Sequence, residues 1–121
     1  MKLEVGMYVR DIKGRIDKII GFKGALIEFE KDLMGGYIDC NDFTKATYNI
    51  VNILEVGDYV NGLIVEKNKY GELYTSYVYY GGDIGKQCEV YTNWLKGFKE
   101  DMIYNIVTKE QFEQMSYKVG E

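Results

Sequence analysis

At 121 residues the chain suits one ordinary domain or two units of about 55 to 60 residues each. It is 46% hydrophobic, 15% aromatic and 28% charged, enough apolar material to order a core, and no run nears a membrane span of roughly 18 to 20 apolar residues. A net charge of −4 disfavours a surface that tracks nucleic-acid phosphates, and the absence of histidine excludes every Ser-His, Cys-His and His-metal arrangement.

In chain order, the opening LEVGMYV, Leu3 to Val9, leads into a strand over Met7 to Arg10, followed by strands over Ile16 to Phe22, Ala25 to Glu30, Tyr37 to Asp39 and Tyr48 to Ile53. Each is rich in β-branched or aromatic residues. A short helical turn is expected at Asn41 to Ala46 or at Asn93 to Phe98, where apolar alternation breaks. LEVGDYV at Leu54 to Val60 then repeats the opening, with six of seven positions in agreement. After it come strands over Asp58 to Val60, Leu63 to Lys67, Glu72 to Tyr80, Lys86 to Tyr91 and Ile103 to Val107, with Gly62, Gly71, Gly81, Gly82 and Gly97 expected to supply positive φ at the connections. The segment Thr108 to Met115 reads as one short helix. Thr108 and Gln111 stand at capping-box spacing, and Phe112 and Met115 are placed to face inward.

The repeat extends beyond the opening heptad. GGYI at Gly35 to Ile38 is echoed by GGDI at Gly81 to Ile84, each followed by a cysteine, Cys40 and Cys88, and YNIV occurs at Tyr48 to Val51 and at Tyr104 to Val107. Markers kept in one order imply two copies of one unit, residues 1–53 and 54–121. The second carries an insertion at 92–101 and the helix. Val5, Val9, Val56 and Val60 would then point into equivalent cores, and the two copies would pack together.

The V-G-D-x-V entry of copy two, and the turn and G-x-I strand at Gly14 and Ile16 in copy one, resemble SH3-like small barrels of the KOW kind. Copy one departs from the entry pattern, with Met7 where copy two has Asp58. The segments YNIVNILEVGDYVNG, Tyr48 to Gly62, and IVTKEQFEQMSYKVGE, Ile106 to Glu121, resemble uncharacterised phage and prophage proteins of low-GC Gram-positive bacteria. A basic complement of 13 lysines and two arginines, with no proline or histidine, reads as AT-rich coding sequence and agrees with such an origin. The expected fold is therefore mainly β, two tandem SH3-like small β-barrels and one short C-terminal helix.

Neither residue type nor spacing marks a catalytic centre. Two cysteines lack zinc-site spacing, the nearest carboxylate pair, Asp39 with Asp42, suits a solvated turn, and no phosphate-binding glycine motif or nucleophile elbow occurs. No enzyme activity, cofactor or metal is expected. The unusual feature is tyrosine, twelve in all, with Tyr70, Tyr74, Tyr77, Tyr79, Tyr80 and Tyr91 gathered in copy two beside Trp94. Along Glu72 to Tyr80 the alternation puts aromatics on both strand faces, so one set must be exposed, lie under the other copy, or meet a partner. Tyr77, Tyr79 and Tyr80, with Trp94 and Phe98 from the insertion, are the candidate binding residues, because tyrosine buries a rigid ring while its hydroxyl stays bonded.

The expectation is a cytoplasmic binding protein, monomeric or homodimeric, that occludes or recruits a host or phage protein, an anti-CRISPR-like counter-defence inhibitor being one form. A KOW-type nucleic-acid module, disfavoured by charge, and a sponge for a small nucleotide are the alternatives. No signal-peptide core is seen in MKLEVGMYVR and no membrane partner is expected.

Overall fold

Alternating apolar residues and glycine-bearing turns produce short antiparallel strands throughout a computed structural model of the chain, which describes residues 2–34, 43–79 and 89–115. The described residues form ten strands in three antiparallel sheets, three 3-10 turns and one short α-helix. No sheet closes into a barrel among them. The chain divides into two units, Met1–Leu54 with Thr108–Glu121 and Glu55–Val107.

In the first unit β1 (Tyr8–Asp11), β2 (Ile16–Lys23), β3 (Leu26–Phe29) and β4 (Phe43–Thr47) make one sheet in the order β3-β2-β1-β4. All four residues of central β1 are buried. Val9, Ile19, Ile27, Phe29, Met34 and Phe43 form the core, with Phe29 edge-on to Phe43 at 6.4 Å between ring centres. Full burial of one such apolar side chain contributes about 1.5 to 3 kcal/mol, so the cluster is a large stabilising contribution to the unit. Asp17, buried opposite Val9, accepts hydrogen bonds from the Lys31 and Leu33 N–H groups at 3.1 and 3.0 Å, and so pins the turn after β3.

The second unit contains β5 (Tyr59–Val60), β6 (Leu63–Ile64), β7 (Glu66–Lys67), β8 (Leu73–Tyr79), β9 (Glu89–Trp94) and β10 (Ile106–Val107). Its sheets run β10-β5-β6 and β7-β8-β9. β5 thus lies between its following strand and its last, as β1 does. The expected continuous strand Leu63 to Lys67 breaks at Val65, whose N–H donates to Asp58 O at 2.7 Å and whose carbonyl accepts from Gly57 N at 3.0 Å.

The two copies of the entry heptad adopt one conformation. Met7 N donates to Glu4 O and Asp58 N to Glu55 O, closing turns in which Gly6 and Gly57 have φ of 95° and 96°. In each turn the fourth side chain bonds back to the first N–H: Met7 Sδ accepts from Glu4 N at 3.3 Å and Asp58 Oδ2 from Glu55 N at 2.7 Å. Gly6 N to Ile19 O then fixes the first heptad on β2, and Gly57 N to Val65 O fixes the second on the residue between β6 and β7. Val9 and Val60 are buried as expected. Val5 and Val56 are instead exposed, because they occupy the outer corners of these turns rather than strand positions.

Other expectations are corrected. Tyr48 to Ile53 is not a strand: Asn49 Oδ1 accepts from Val51 N at 3.2 Å and caps a 3-10 turn at Ile50–Ile53, a local bond that competes with strand pairing. The two YNIV segments are therefore not equivalent, since the second leads into β10. Of the two places expected for a helical turn, the described part of Asn41 to Ala46 is strand, with Phe43–Thr47 paired to β1, whereas Asn93 to Phe98 does contain a 3-10 turn at Leu95–Gly97. In the insertion, Thr92 to Trp94 extend β9, and 3-10 turns follow at Leu95–Gly97 and Glu100–Met102. The strand expected over Ile103 to Val107 shortens to β10.

The C-terminal helix, α1 (Lys109–Met115), carries the capping box read from sequence: Gln111 Oε1 accepts from Thr108 N at 3.0 Å and Gln111 N donates to Thr108 Oγ1 at 3.4 Å. Expected at the end of the second copy, it belongs instead to the first unit. Arg10, fully buried, donates to Glu110 Oε2 at 2.7 Å and to Ile53 O at 3.1 Å, and Thr108 Oγ1 donates to Gly14 O at 2.8 Å. Anchoring through these polar groups leaves Phe112 and Met115 exposed rather than inward. No helix among the described residues is long and apolar enough to cross a membrane.

Candidate functional site

A hairpin loop sets the register of the aromatic ribbon in the second unit. Asn68 Oδ1 accepts from Tyr70 N and Glu72 N, both at 2.9 Å, while Gly71, at φ 83°, lets the chain turn back into β8. Glu72 closes the loop, accepting from Asn68 Nδ2 at 3.2 Å and from Lys96 Nζ at 2.9 Å. These bonds, Lys96 first, hold the Glu72 carboxyl below its ordinary pKa.

From that loop β8 runs antiparallel to β9 with Tyr74 opposite Trp94, Thr75 opposite Asn93, Ser76 opposite Thr92 and Tyr77 opposite Tyr91. Directly opposed residues share a face, so Tyr74 and Trp94 lie on one face and Tyr77 and Tyr91 on the other. Tyr77 and Tyr91 are stacked, 5.3 Å between ring centres and 17° between planes; they remain 43% and 42% exposed. Tyr74 meets Trp94 edge-on at 5.5 Å, with the tryptophan 40% exposed. Buried Thr75 lies on the Tyr77 face and Leu95 is buried just beyond β9, so the ribbon is anchored along part of its length while its aromatic ends stay open.

The expected patch is therefore divided. Tyr77 and Trp94 are both accessible but occupy opposite faces, because Tyr77 stands three positions after Tyr74, the partner of Trp94, and the side-chain period is two. Tyr79 ends β8 opposite Glu89, and Tyr80 lies outside the described residues. Phe98 closes the 3-10 turn after β9, its N–H donating to Leu95 O at 3.0 Å, and is partly buried. Tyr91, absent from the expected set, completes the stack. Its signal in the sequence was its place in the strand following β8, but the pairing register that puts it opposite Tyr77 depends on where β9 begins.

Chemistry-bearing side chains elsewhere hold the backbone. Asp11 Oδ1 accepts from Lys13 N and Arg15 N at 3.0 and 2.8 Å, and its Oδ2 pairs with Arg15 Nε at 2.7 Å. Asp17 and Asp58 serve as turn anchors in the same way. Among the described residues no group of three or more potential metal ligands occurs. Cys40, Cys88, Asp39 and Asp42 lie outside the described residues. The chain matches no known family, no curated protein and no solved structure.

Proposed function

We propose that this chain is a non-catalytic binding protein of phage or mobile-element origin, and that it engages a host protein through the Tyr77–Tyr91 face of the β8–β9 ribbon. One observation carries the reading: two stacked tyrosines, each about two-fifths exposed, stand on a hydrogen-bonded scaffold that fixes their geometry before any partner arrives. Rings held in this way lose little side-chain entropy on binding, which is the advantage of aromatic anchors at interfaces. The shared strand order, with the opening strand of each unit flanked by its second and its last, supports a common SH3-like small-barrel unit. The lack of histidine and the use of Asp11, Asp17 and Asp58 as backbone anchors support a role without catalysis. An inhibitor that occludes a component of host defence is one form of this function.

A KOW-type nucleic-acid module is the rival, and Lys69, 5.1 Å above the exposed ring of Tyr70, is the observation in its favour. The acidic balance of the chain opposes it. Electrophoretic shift with single- and double-stranded DNA and RNA, at low and high salt, separates the two. The protein-binding reading expects no shift at either salt; a shift at low salt that high salt abolishes would replace it with the rival.

A further inference from the structure

Among the described strands, β9 lies at a sheet edge and lacks the protections found at the other edges. An exposed edge offers unpaired N–H and C=O groups to another chain, and folded proteins blunt such edges with short length, lysine, proline or bulges. β7, β6 and β10 are two residues long, β4 carries Lys45, and β3 has four residues including Glu28 beside an irregularity in β2. β9 has six residues, Glu-Val-Tyr-Thr-Asn-Trp, paired without a break and containing no lysine or proline.

The ladder fixes which groups the edge presents. Asn68 N donates to Glu72 O at 3.0 Å, so Glu72 turns its main-chain groups toward β7. In an antiparallel sheet this direction alternates, so Thr75 and Tyr77 turn theirs toward Asn93 and Tyr91. Val90 and Thr92 consequently direct their main-chain N–H and C=O groups outward, and Trp94 its N–H; the Trp94 carbonyl caps the 3-10 turn at Leu95–Gly97 and keeps one lone pair for a second donor. No described strand pairs with that side, and Val90 is 66% exposed.

We propose that β9 pairs antiparallel with β9 of a second copy of this chain, across a two-fold axis at Thr92, joining two three-stranded sheets into one. The sequence is self-complementary in that register. Val90 falls opposite Trp94 of the second copy and Thr92 opposite Thr92, an aliphatic–aromatic pair made twice and a hydroxyl pair, both favourable cross-strand combinations. Glu89 is the only charged residue of β9 and falls beyond the paired core, opposite Leu95, so like charges do not meet. On the opposite face Tyr91 comes beside Asn93 of the second copy, which draws the two Tyr77–Tyr91 stacks onto one continuous surface. The pairing uses the edge of the ribbon and does not rest on the partner proposed for its face.

Sedimentation equilibrium from micromolar to millimolar concentration, with amide exchange measured by NMR at both ends of that range, tests the pairing. The expected result is twice the chain mass at high concentration. The Val90, Thr92 and Trp94 amides should exchange at least about tenfold faster on dilution, while Tyr91 and Asn93 stay protected at both concentrations. Thr92→Lys should be monomeric with an unchanged melting temperature. A wild-type monomer at millimolar concentration would overturn the proposal, as would a dimer in which those three amides exchange freely or one that survives Thr92→Lys. If that variant does not fold, the exchange pattern of the wild-type chain decides alone.

Discussion

In the first unit the β1–β2 hairpin closes through Asp11–Arg15 and the β2–β3 hairpin through the two residues Gly24 and Ala25. In the second unit the two-residue turn comes first, at Asn61–Gly62 with φ of 51° and 83°, and the loop anchored by a side-chain amide comes next, at Asn68–Glu72. The longer loops are alike. Asp11 and Asn68 each accept two N–H groups from within the loop, and Gly14 and Gly71 sit at φ 78° and 83°. Their surroundings differ: a Cβ at Gly14 would run into Thr108 and Glu110, whereas among the described residues a Cβ at Gly71 would meet nothing within 4 Å. One turn chemistry thus serves as a seat for α1 in the first unit, and in the second as an open foot for the aromatic ribbon.

The largest test of the equivalence lies in the heptads themselves. Val9→Asp and Val60→Asp should each cost about 4 kcal/mol, since both place a charge where less than a fiftieth of the side chain meets water. Val5→Asp and Val56→Asp, at turn corners 55% and 46% exposed, should change stability by less than about 0.5 kcal/mol. Denaturant unfolding of the four variants checks this. Equal costs at Val56 and Val60 would mean that the second heptad is not folded like the first.

The glycine pair sharpens the difference between units. A Cβ at either position meets left-handed strain of about 1 to 2 kcal/mol, but at position 14 it would also overlap the Thr108 hydroxyl and the Glu110 carboxylate. Gly14→Ala should therefore lose about 3 kcal/mol and Gly71→Ala about half as much. Melting temperatures that fall equally would show that α1 does not rest on the Asp11 loop in solution.

The smallest effect concerns pH. Because Lys96 and Asn68 lower the pKa of Glu72 in the folded chain, its contribution is fully present above the ordinary carboxylate pKa and is lost as pH falls through the lowered value. Glu72→Gln should flatten that part of the acid unfolding profile. A profile identical to wild type through the acid range would remove the Glu72–Lys96 contact from the account.

Much of this architecture was readable from residue patterns. The heptad repeat, the positive φ of Gly62 and Gly71 and the Thr108–Gln111 capping box all depend on contacts within a few positions, and each folds as its chemistry requires; Gly97 instead lies in a 3-10 turn without positive φ, and Gly81 and Gly82 lie outside the described residues. Two features were hidden because they depend on distant partners, and one because a local side-chain bond overrides an apolar run. Arg10 recruits a helix one hundred positions away through Glu110, which moves α1 into the first unit. Asn49 turns an apolar run into a 3-10 turn by a local bond that period alone does not reveal. The candidate face was half legible: alternation along β8 placed aromatics on both faces, but only the β8–β9 register shows that Tyr77 belongs with Tyr91 and that Trp94 belongs with Tyr74.

The central claim is that the Tyr77–Tyr91 face meets a partner, and the opposite face of the same ribbon supplies its control. Tyr77→Ala, Tyr91→Ala and Trp94→Ala would be compared for melting temperature and for capture of the same host protein from a lysate. The account predicts that the two tyrosine variants keep a near-native melting temperature and lose about 2 kcal/mol or more of binding, while Trp94→Ala still captures the partner. If all three variants melt far below wild type, or if Trp94→Ala alone abolishes capture, the Tyr77–Tyr91 face is not the binding surface.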